Sequence, residues 1–189
     1  MAELPYLSLG LPVFNGETYI ESTIRFWLEQ PYKNIELIIS DNASTDRTSE
    51  ICKMFLSDPR VKYFRQEKNI VWENFSFVAS KATHDPFMFV GDDDYWDEQA
   101  LFVLSAKMVK EKLKTSRPVL VYGVHQMIVN ERKKKHFANR MLIQFRNPSL
   151  ALSWHMLTYA TNGSTNPMWG MWSSRKIAKE FADLNQDFL

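Results

Sequence analysis

Phe87-Met88-Phe89-Val90-Gly91-Asp92-Asp93-Asp94-Tyr95-Trp96 is an apolar run that ends abruptly in three carboxylates. The apolar residues between Pro86 and Gly91 have the length and the flanking punctuation of a buried strand. Like charges at the end of such a strand cost free energy unless something neutralises them. A divalent cation that also holds a phosphorylated molecule has the right chemistry. An EF-hand loop is excluded, because its glycine at position six and glutamate at position twelve are absent. A solvated acidic turn is the other reading, and the buried strand before the triplet argues against it. In an extended chain Asp92 and Asp94 fall on one side and Asp93 on the other, so the three should not share one ion. The division that follows is one carboxylate on the metal, one on a hydroxyl of the ligand and one holding the loop. Oxygen donors favour Mg²⁺ or Mn²⁺, with water and phosphate oxygens completing an octahedron.

Outward from this run, strands and helices alternate. Leu7 to Phe14 reads as a strand broken by Asn15-Gly16. Ile20, Ile24, Trp27 and Leu28 then recur at helical spacing as far as Pro31. Ile35 to Ser40 is a second strand. Asp41-Asn42-Ala43-Ser44 is a turn, with Ser44 or Thr45 placed to cap a helix whose stripe is Ile51, Cys52, Phe55 and Leu56. Val61 to Phe64 is a third strand, and Phe75, Val78 and Ala79 mark a helix before Pro86. After the triplet, Leu101, Leu104, Ala106 and Met108 mark another. Pro118 to Val129 reads as one long strand and Glu131 to Lys135 as a charged turn. Leu150 to Tyr159 and Ser174 to Leu184 read as helices.

This alternation predicts βαβ units and a mostly parallel sheet flanked by helices. Such sheets bind ligands at the carboxyl ends of their strands. Asn15-Gly16-Glu17, Asp41-Asn42 and Asp92-Asp93-Asp94 all stand at strand ends, which gathers them into one expected site. Asp41 has two readings: an Asx-turn or helix cap, and an acceptor for the N–H of a base. Neither a P-loop nor G-x-G-x-x-G is present, so with a bound nucleotide the metal would carry most of the phosphate neutralisation.

Composition narrows the class. The 189 residues suit one domain, and a hydrophobic content of 45% supports a sizeable core. A formal net charge of +1 gives no global attraction to nucleic acid. Lys133-Lys134-Lys135 reads as a solvated turn in preference to a contact for nucleic acid or an anionic membrane. Cys52 stands alone, which rules out an intramolecular disulfide and fits a reducing, cytoplasmic setting. No signal peptide is expected, and no apolar stretch approaches the ~18 residues of a membrane span. His125, His136 and His155 are scattered, without helical metal-site spacing, and read as structural. Trp154, Trp169 and Trp172 serve either core packing or sugar stacking.

Four segments together resemble the family 2 glycosyltransferases of GT-A fold. Leu11-Pro12-Val13-Phe14-Asn15-Gly16-Glu17 is similar to that family's opening strand and turn. The run Ile35 to Thr48, ending Asp41-Asn42-Ala43-Ser44-Thr45-Asp46-Arg47-Thr48, is similar to its second strand and D-N-A-S-T-D-x-T turn. Asn69 and Asn74 stand where its N-x-G…N loop falls, with Val71 in place of a common glycine. Asp92-Asp93-Asp94 stands at its acidic motif. The likeness spans about residues 6 to 105.

The resemblance implies a single GT-A domain over 1–189, with a nucleotide-sugar-binding half to about 115 and a partial acceptor half from about 116. It implies that Pro12 and Phe14 line the base and ribose pocket, that Asp41 contacts the base, and that Asp92 holds ribose or sugar. Asn15, Glu17, Asn42 and Lys68 complete the expected donor site. Asp93 and Asp94 are the metal candidates; many members read D-x-D-D, with the first Asp falling on Gly91, so both stay open. Arg65 and Lys68 either reach a phosphate or face solvent.

Family members generally invert the anomeric centre, with a carboxylate as general base. Asp183 and Asp187 are the late Asp residues, and Asp187 is the candidate base. Chains of this family usually continue further, so a C-terminal truncation is expected. The expected activity is transfer from a nucleotide-diphosphate sugar, UDP-sugar favoured, to a saccharide or lipid-linked acceptor. No nucleic acid partner is expected, and a peripheral membrane contact stays open. A non-catalytic nucleotide-sugar-binding or interaction domain is one alternative, a nucleotidyltransferase the other.

Overall fold

The computed structural model describes residues 5–71, 73–94, 96, 98–113, 119–121, 126–129, 132–135, 142–144, 171–172, 174–176, 178–179 and 183. Its elements are β1 (Leu7–Val13), α1 (Ile20–Glu29), β2 (Ile35–Asp41), α2 (Thr48–Lys53), β3 (Val61–Arg65), α3 (Glu73–Lys81), β4 (Phe87–Phe89) and α4 (Ala100–Lys112). They continue with β5 (Val119–Val121), β6 (Gln126–Val129), β7 (Arg132–Lys135), β8 (Leu142–Gln144) and β9 (Met171–Trp172). Seven strands form one sheet in the order β3-β2-β1-β4-β9-β5-β8, while β6 and β7 pair separately. β1 to β4 are parallel to one another, and β9 joins β4 antiparallel. The chain steps outward from β1 to β3, then returns to the other side of β1. The switch point of the sheet therefore lies between β1 and β4.

Every residue of β1 and β2 is buried, because helices cover both faces of a parallel sheet. On one face Leu7, Leu9, Leu11 and Val13 join Ile35, Leu37, Ile39, Met88 and Val90. They pack with Ile20, Ile24 and Trp27 of α1 and Leu101, Leu104 and Met108 of α4. Fully burying each such aliphatic side chain is worth about 1.5–3 kcal/mol. The other face is covered by α3, and there Gly10 of β1 makes room beside the buried rings of Phe87 and Phe89. A Cβ on Gly10 would collide with Val78 Cγ1 and lie 2.6 Å from Phe87 Cζ. The missing side chain is what lets α3 sit against β1.

Pro12 lies inside a central strand, where a proline normally removes a ladder hydrogen bond. Backbone groups alternate sides along a strand. Gly10 O accepts from Val90 N on the β4 side, and Val13 O accepts from Asn42 N on the β2 side. The nitrogen of Pro12 thus faces β4 beyond its last paired residue, since the β1–β4 register ends at Gly10↔Phe89. No bond is lost, and the two strands part at this level.

Several expectations need correction. Pro118–Val129 is not one strand: β5 belongs to the main sheet, and β6 pairs with β7. Arg132–Lys135 is itself strand β7 rather than a charged turn, because it has β6 as a partner. Neither Ser44 nor Thr45 caps α2. That helix starts at Thr48, whose N–H donates to Asp46 Oδ1. α2 ends at Lys53, and Leu56 is 49% exposed. On α4 the buried stripe holds Ser105, and Ala106 faces solvent. Arg175, Lys176, Ala178, Lys179 and Asp183 are helical, as expected for 174–184. The 150–159 helix, Trp154, Trp169, His125, His136, His155 and Asp187 lie outside the described residues. Among the described residues no helix is long and apolar enough to cross a membrane.

Candidate functional site

The register puts Val13, Asp41 and Arg65 at one level. The loops that follow β1, β2 and β3 therefore leave the same edge of the sheet, beside the residues that follow β4. The first two loops are clasped by side chains. Asn15 N donates to Ser44 Oγ (2.9 Å), Gly16 N to Thr48 Oγ1 (2.8 Å) and Glu17 N to Asp46 Oδ2 (3.0 Å). In return Thr45 N donates to Asn15 Oδ1 (2.8 Å) and Arg47 N to Glu17 Oε2 (3.0 Å). Thr48 Oγ1 also donates to Asp46 Oδ1 at 2.5 Å, which fixes both halves of the Asp46 carboxylate.

The third loop is tied to the second. Asn42 Nδ2 donates to Asn69 Oδ1 (2.8 Å), and Asn42 Oδ1 accepts from Ile70 N (2.8 Å). Asn74 grips β2 from α3, accepting from Ser40 Oγ and donating to Ser40 O. Each of the three loops holds one residue at positive φ: Asn15 at 52°, Ala43 at 61° and Val71 at 45°. For a β-branched side chain such as Val71 this is strained backbone. Val71 occupies the place where a glycine was expected.

Asp41 is wholly buried. Its Oδ1 accepts from Ser44 N (2.8 Å), and its Oδ2 accepts from Tyr63 Oη (2.8 Å) and from the Arg65 guanidinium. Arg65 also donates to Ser44 O (2.8 Å). A ligand N–H can reach Asp41 only by displacing one of these donors. As it stands, Asp41 anchors the second loop and Arg65 covers it. Phe14 is 47% exposed, whereas Pro12 is buried in β1. Lys68 is exposed and carries no ion pair among the described residues.

Asp92 lies against the first loop. A Cβ on Gly16 would stand 2.5 Å from Asp92 Oδ2, and the Asp92 carbonyl accepts from Thr23 Oγ1 (2.6 Å). Burial pushes the Asp92 carboxyl up to about 6, and the charges of Asp93, Asp94 and Asp46 push the same way. Asp94 is also raised, first because surrounding protein displaces water around its carboxyl and second by the charge of Asp93. Asp93 and Asp94 are exposed at the lip. Among the described residues no three His, Cys, Asp or Glu side chains converge as a closed cage. Asp93 and Asp94 form an open carboxylate corner whose oxygen donors could hold a hard divalent cation.

The structure thus brings Phe14, Asn15, Glu17, Asp41, Asn42, Asp92, Asp93 and Asp94 to one edge of the sheet. It also changes the tasks of Asn15, Glu17, Asn42 and Asp41, whose polar atoms hold loop to loop. The clasp residues Ser44, Asp46 and Thr48 were not among the expected site residues. Asp46 two positions before Thr48 is a turn-and-cap signal that could have marked them.

The family model described as Glycosyl transferase family 2 matches residues 8–172. The chain belongs to this family. GlyG, a glycosyltransferase of Streptococcus pneumoniae, is 40% identical over 114 residues, which cover 59% of this chain and 37% of GlyG. Two solved structures share the fold. S. aureus TarS 1-349 in complex with UDP-GlcNAc superposes with a TM-score of 0.56 at 23% identity, covering 67% of this chain and 36% of that one. The mannosyltransferase PcManGT from Pyrobaculum calidifontis, in complex with GDP-Man and Mn²⁺, gives 0.53 at 19%, covering 62% and 35%. The chain therefore spans little more than a third of each of these proteins, and its sheet is the expected GT-A arrangement.

Proposed function

We propose that this family 2 chain carries the donor-binding part of a metal-dependent, inverting glycosyltransferase. The donor is a nucleotide-diphosphate sugar, UDP-sugar favoured, and the acceptor a saccharide or a lipid-linked acceptor. One observation carries the reading: the loops after β1 and β2 and the Asp92–Asp94 triplet converge at the carboxyl edge beside the β1–β4 switch point. The nucleotide-sugar complexes of TarS and PcManGT, proteins of the same fold, support it.

In this reading Phe14 offers its exposed ring to the base or ribose. Asp92 accepts hydrogen bonds from hydroxyls of the ribose or sugar, and Lys68 is available to a phosphate. Asp93 or Asp94 would be the chief ligand of Mn²⁺ or Mg²⁺. When bound, the cation offsets the negative charge of the departing diphosphate. The acceptor hydroxyl gives its proton to a carboxylate as it attacks. Asp183 is already engaged by Ser76 and by Lys179, so Asp187 remains the candidate base.

A nucleotidyltransferase is disfavoured by one detail. The N–H groups of residues 15–17 are all spent on Ser44, Thr48 and Asp46 and cannot cradle a triphosphate. A non-catalytic nucleotide-sugar-binding domain is the second reading, favoured by the engagement of Asp183. Calorimetry with UDP, GDP and dTDP, with and without Mn²⁺, tests the proposal. The expected result is metal-dependent binding of UDP, weakened about tenfold or more in a variant with both Asp93→Asn and Asp94→Asn. Absence of metal-dependent binding to all three nucleotides would overturn it. Binding without sugar transfer favours the second reading.

A further inference from the structure

The Asp46–Thr48 end of the clasp holds the turn of residues 15–17, and through Gly16 that turn lies against Asp92. Gly16 is buried, and its N–H has Thr48 Oγ1 as acceptor. Its Cα lies so close to Asp92 that a single methyl group would meet the carboxylate at 2.5 Å. The same methyl would also stand 2.6 Å from Val13 Cγ2, so Gly16 has room for no side chain where the end of β1 meets Asp92. Thr48 is itself fixed at both ends of its hydroxyl, accepting from Gly16 and donating to Asp46. Asp46 in turn holds Glu17 N and Thr48 N. The path from Asp46 through Thr48 and Gly16 to the Asp92 carboxylate is thus two polar contacts and one close approach.

We propose that Thr48 and Asp46 are positioning residues for the sugar donor: through the turn of residues 15–17 they set how far the Asp92 carboxylate stands from the crevice floor. The inference rests on the reading that Asp92 holds the ribose or sugar of a nucleotide-diphosphate donor. Removing the Thr48 hydroxyl leaves a buried N–H without its acceptor, and the turn relieves this by moving. A shift of the turn carries Gly16 away from Asp92 or into it. Both displace a group whose task is directional hydrogen bonding, in which a misplacement of about 1 Å weakens binding severely.

The test uses the full chain, Mn²⁺ and calorimetric titration with UDP and UDP-GlcNAc. Thr48→Val keeps shape and removes the hydroxyl; Thr48→Ser keeps the hydroxyl. Glu36→Gln disturbs a buried network at the opposite end of the sheet and serves as a stability control. The expected result is a Kd raised about tenfold in Thr48→Val, within about twofold of the unaltered chain in Thr48→Ser, and unchanged in Glu36→Gln despite a lowered Tm. Affinity in Thr48→Val equal to that of the unaltered chain would overturn the positioning role. So would equal weakening in Thr48→Ser, or weakening in Glu36→Gln that tracks its Tm. If the unaltered chain binds neither nucleotide, the donor reading fails first and this inference falls with it, a result distinct from the other three.

Discussion

At the scale of single residues, the carboxyl edge stores strain and the opposite edge supplies charge compensation. Val71 at φ 45° pays for its loop geometry, and its residue is 59% exposed, so little packing is at stake. Left-handed backbone costs a non-glycine residue about 1–2 kcal/mol, partly offset by the extra freedom glycine has when unfolded. Val71→Gly is therefore expected to raise stability by about 0.5–1 kcal/mol in urea unfolding, with the Val71 N to Asn69 Oδ1 bond kept. Glu36 is the opposite case. It is buried at the start of β2, where Oε1 accepts from Ser8 Oγ (2.5 Å) and Thr83 N (2.6 Å), and Oε2 from Lys62 Nζ (2.5 Å) and Thr83 Oγ1 (2.8 Å). Burial alone would raise its carboxyl; the donors from Lys62, Ser8 and Thr83 outweigh it and bring the group to about 2. A carboxyl depressed in the folded state stabilises fully above its unfolded value near 4.5 and loses that contribution as pH falls toward 2. The contribution is about 3 kcal/mol. Urea midpoints measured from pH 7 down to pH 2.5 should fall more steeply below pH 4.5 for the unaltered chain than for Glu36→Gln. The acidic triplet could be read from the sequence because it interrupts an apolar run. The saturation of Asp41 could not, since Tyr63 and Arg65 reach it only once β3 is paired beside β2.

At the scale of elements, the fit of α3 against the sheet is the tightest constraint. Gly10→Ala would force a methyl into Val78 and Phe87. Overpacking of this kind costs about 1–3 kcal/mol, so Gly10→Ala is expected to lower the urea midpoint clearly while leaving m unchanged. Strands β1 to β4 were legible because each is an apolar run closed by turn residues. Helix α2 differs from its apolar spacing at both ends. Phe55 and Leu56 continue the apolar spacing of Ile51 and Cys52, but the helix stops at Lys53. Ser44, the expected cap, is drawn instead to Asn15 N across the crevice. β6 falls within the expected Pro118–Val129 strand, whereas β7 is not expected, because a basic run such as Arg132–Lys135 carries no apolar alternation; only pairing with Gln126–Val129 makes it a strand.

At the scale of the whole molecule, binding and folding are linked through the carboxyl edge. A ligand held by all the loops stabilises the folded chain by about 2.7 kcal/mol at a hundredfold excess over its Kd. For a chain of this size that is a rise in Tm of roughly 5–10 °C. Thermal unfolding with UDP should show this rise in Mn²⁺ and lose it in EDTA. A Tm indifferent to the pair of ligands would argue against a shared site. The expected general base was out of reach, because Asp187 carries no pattern beyond its late position.

Pro12 has a consequence for folding. A strand that zips along a parallel neighbour can overshoot, and a slip of two residues keeps the same side chains facing the same helices. Beside most strands such a slip would go unchallenged by the hydrophobic pattern. Here the nitrogen that would have to donate to the overshooting strand is proline, so β4 has nothing to pair with past Gly10↔Phe89. The ring acts as an index mark on the chain. It fixes the residue at which β4 must stop, and with it the height at which the acidic triplet enters solvent.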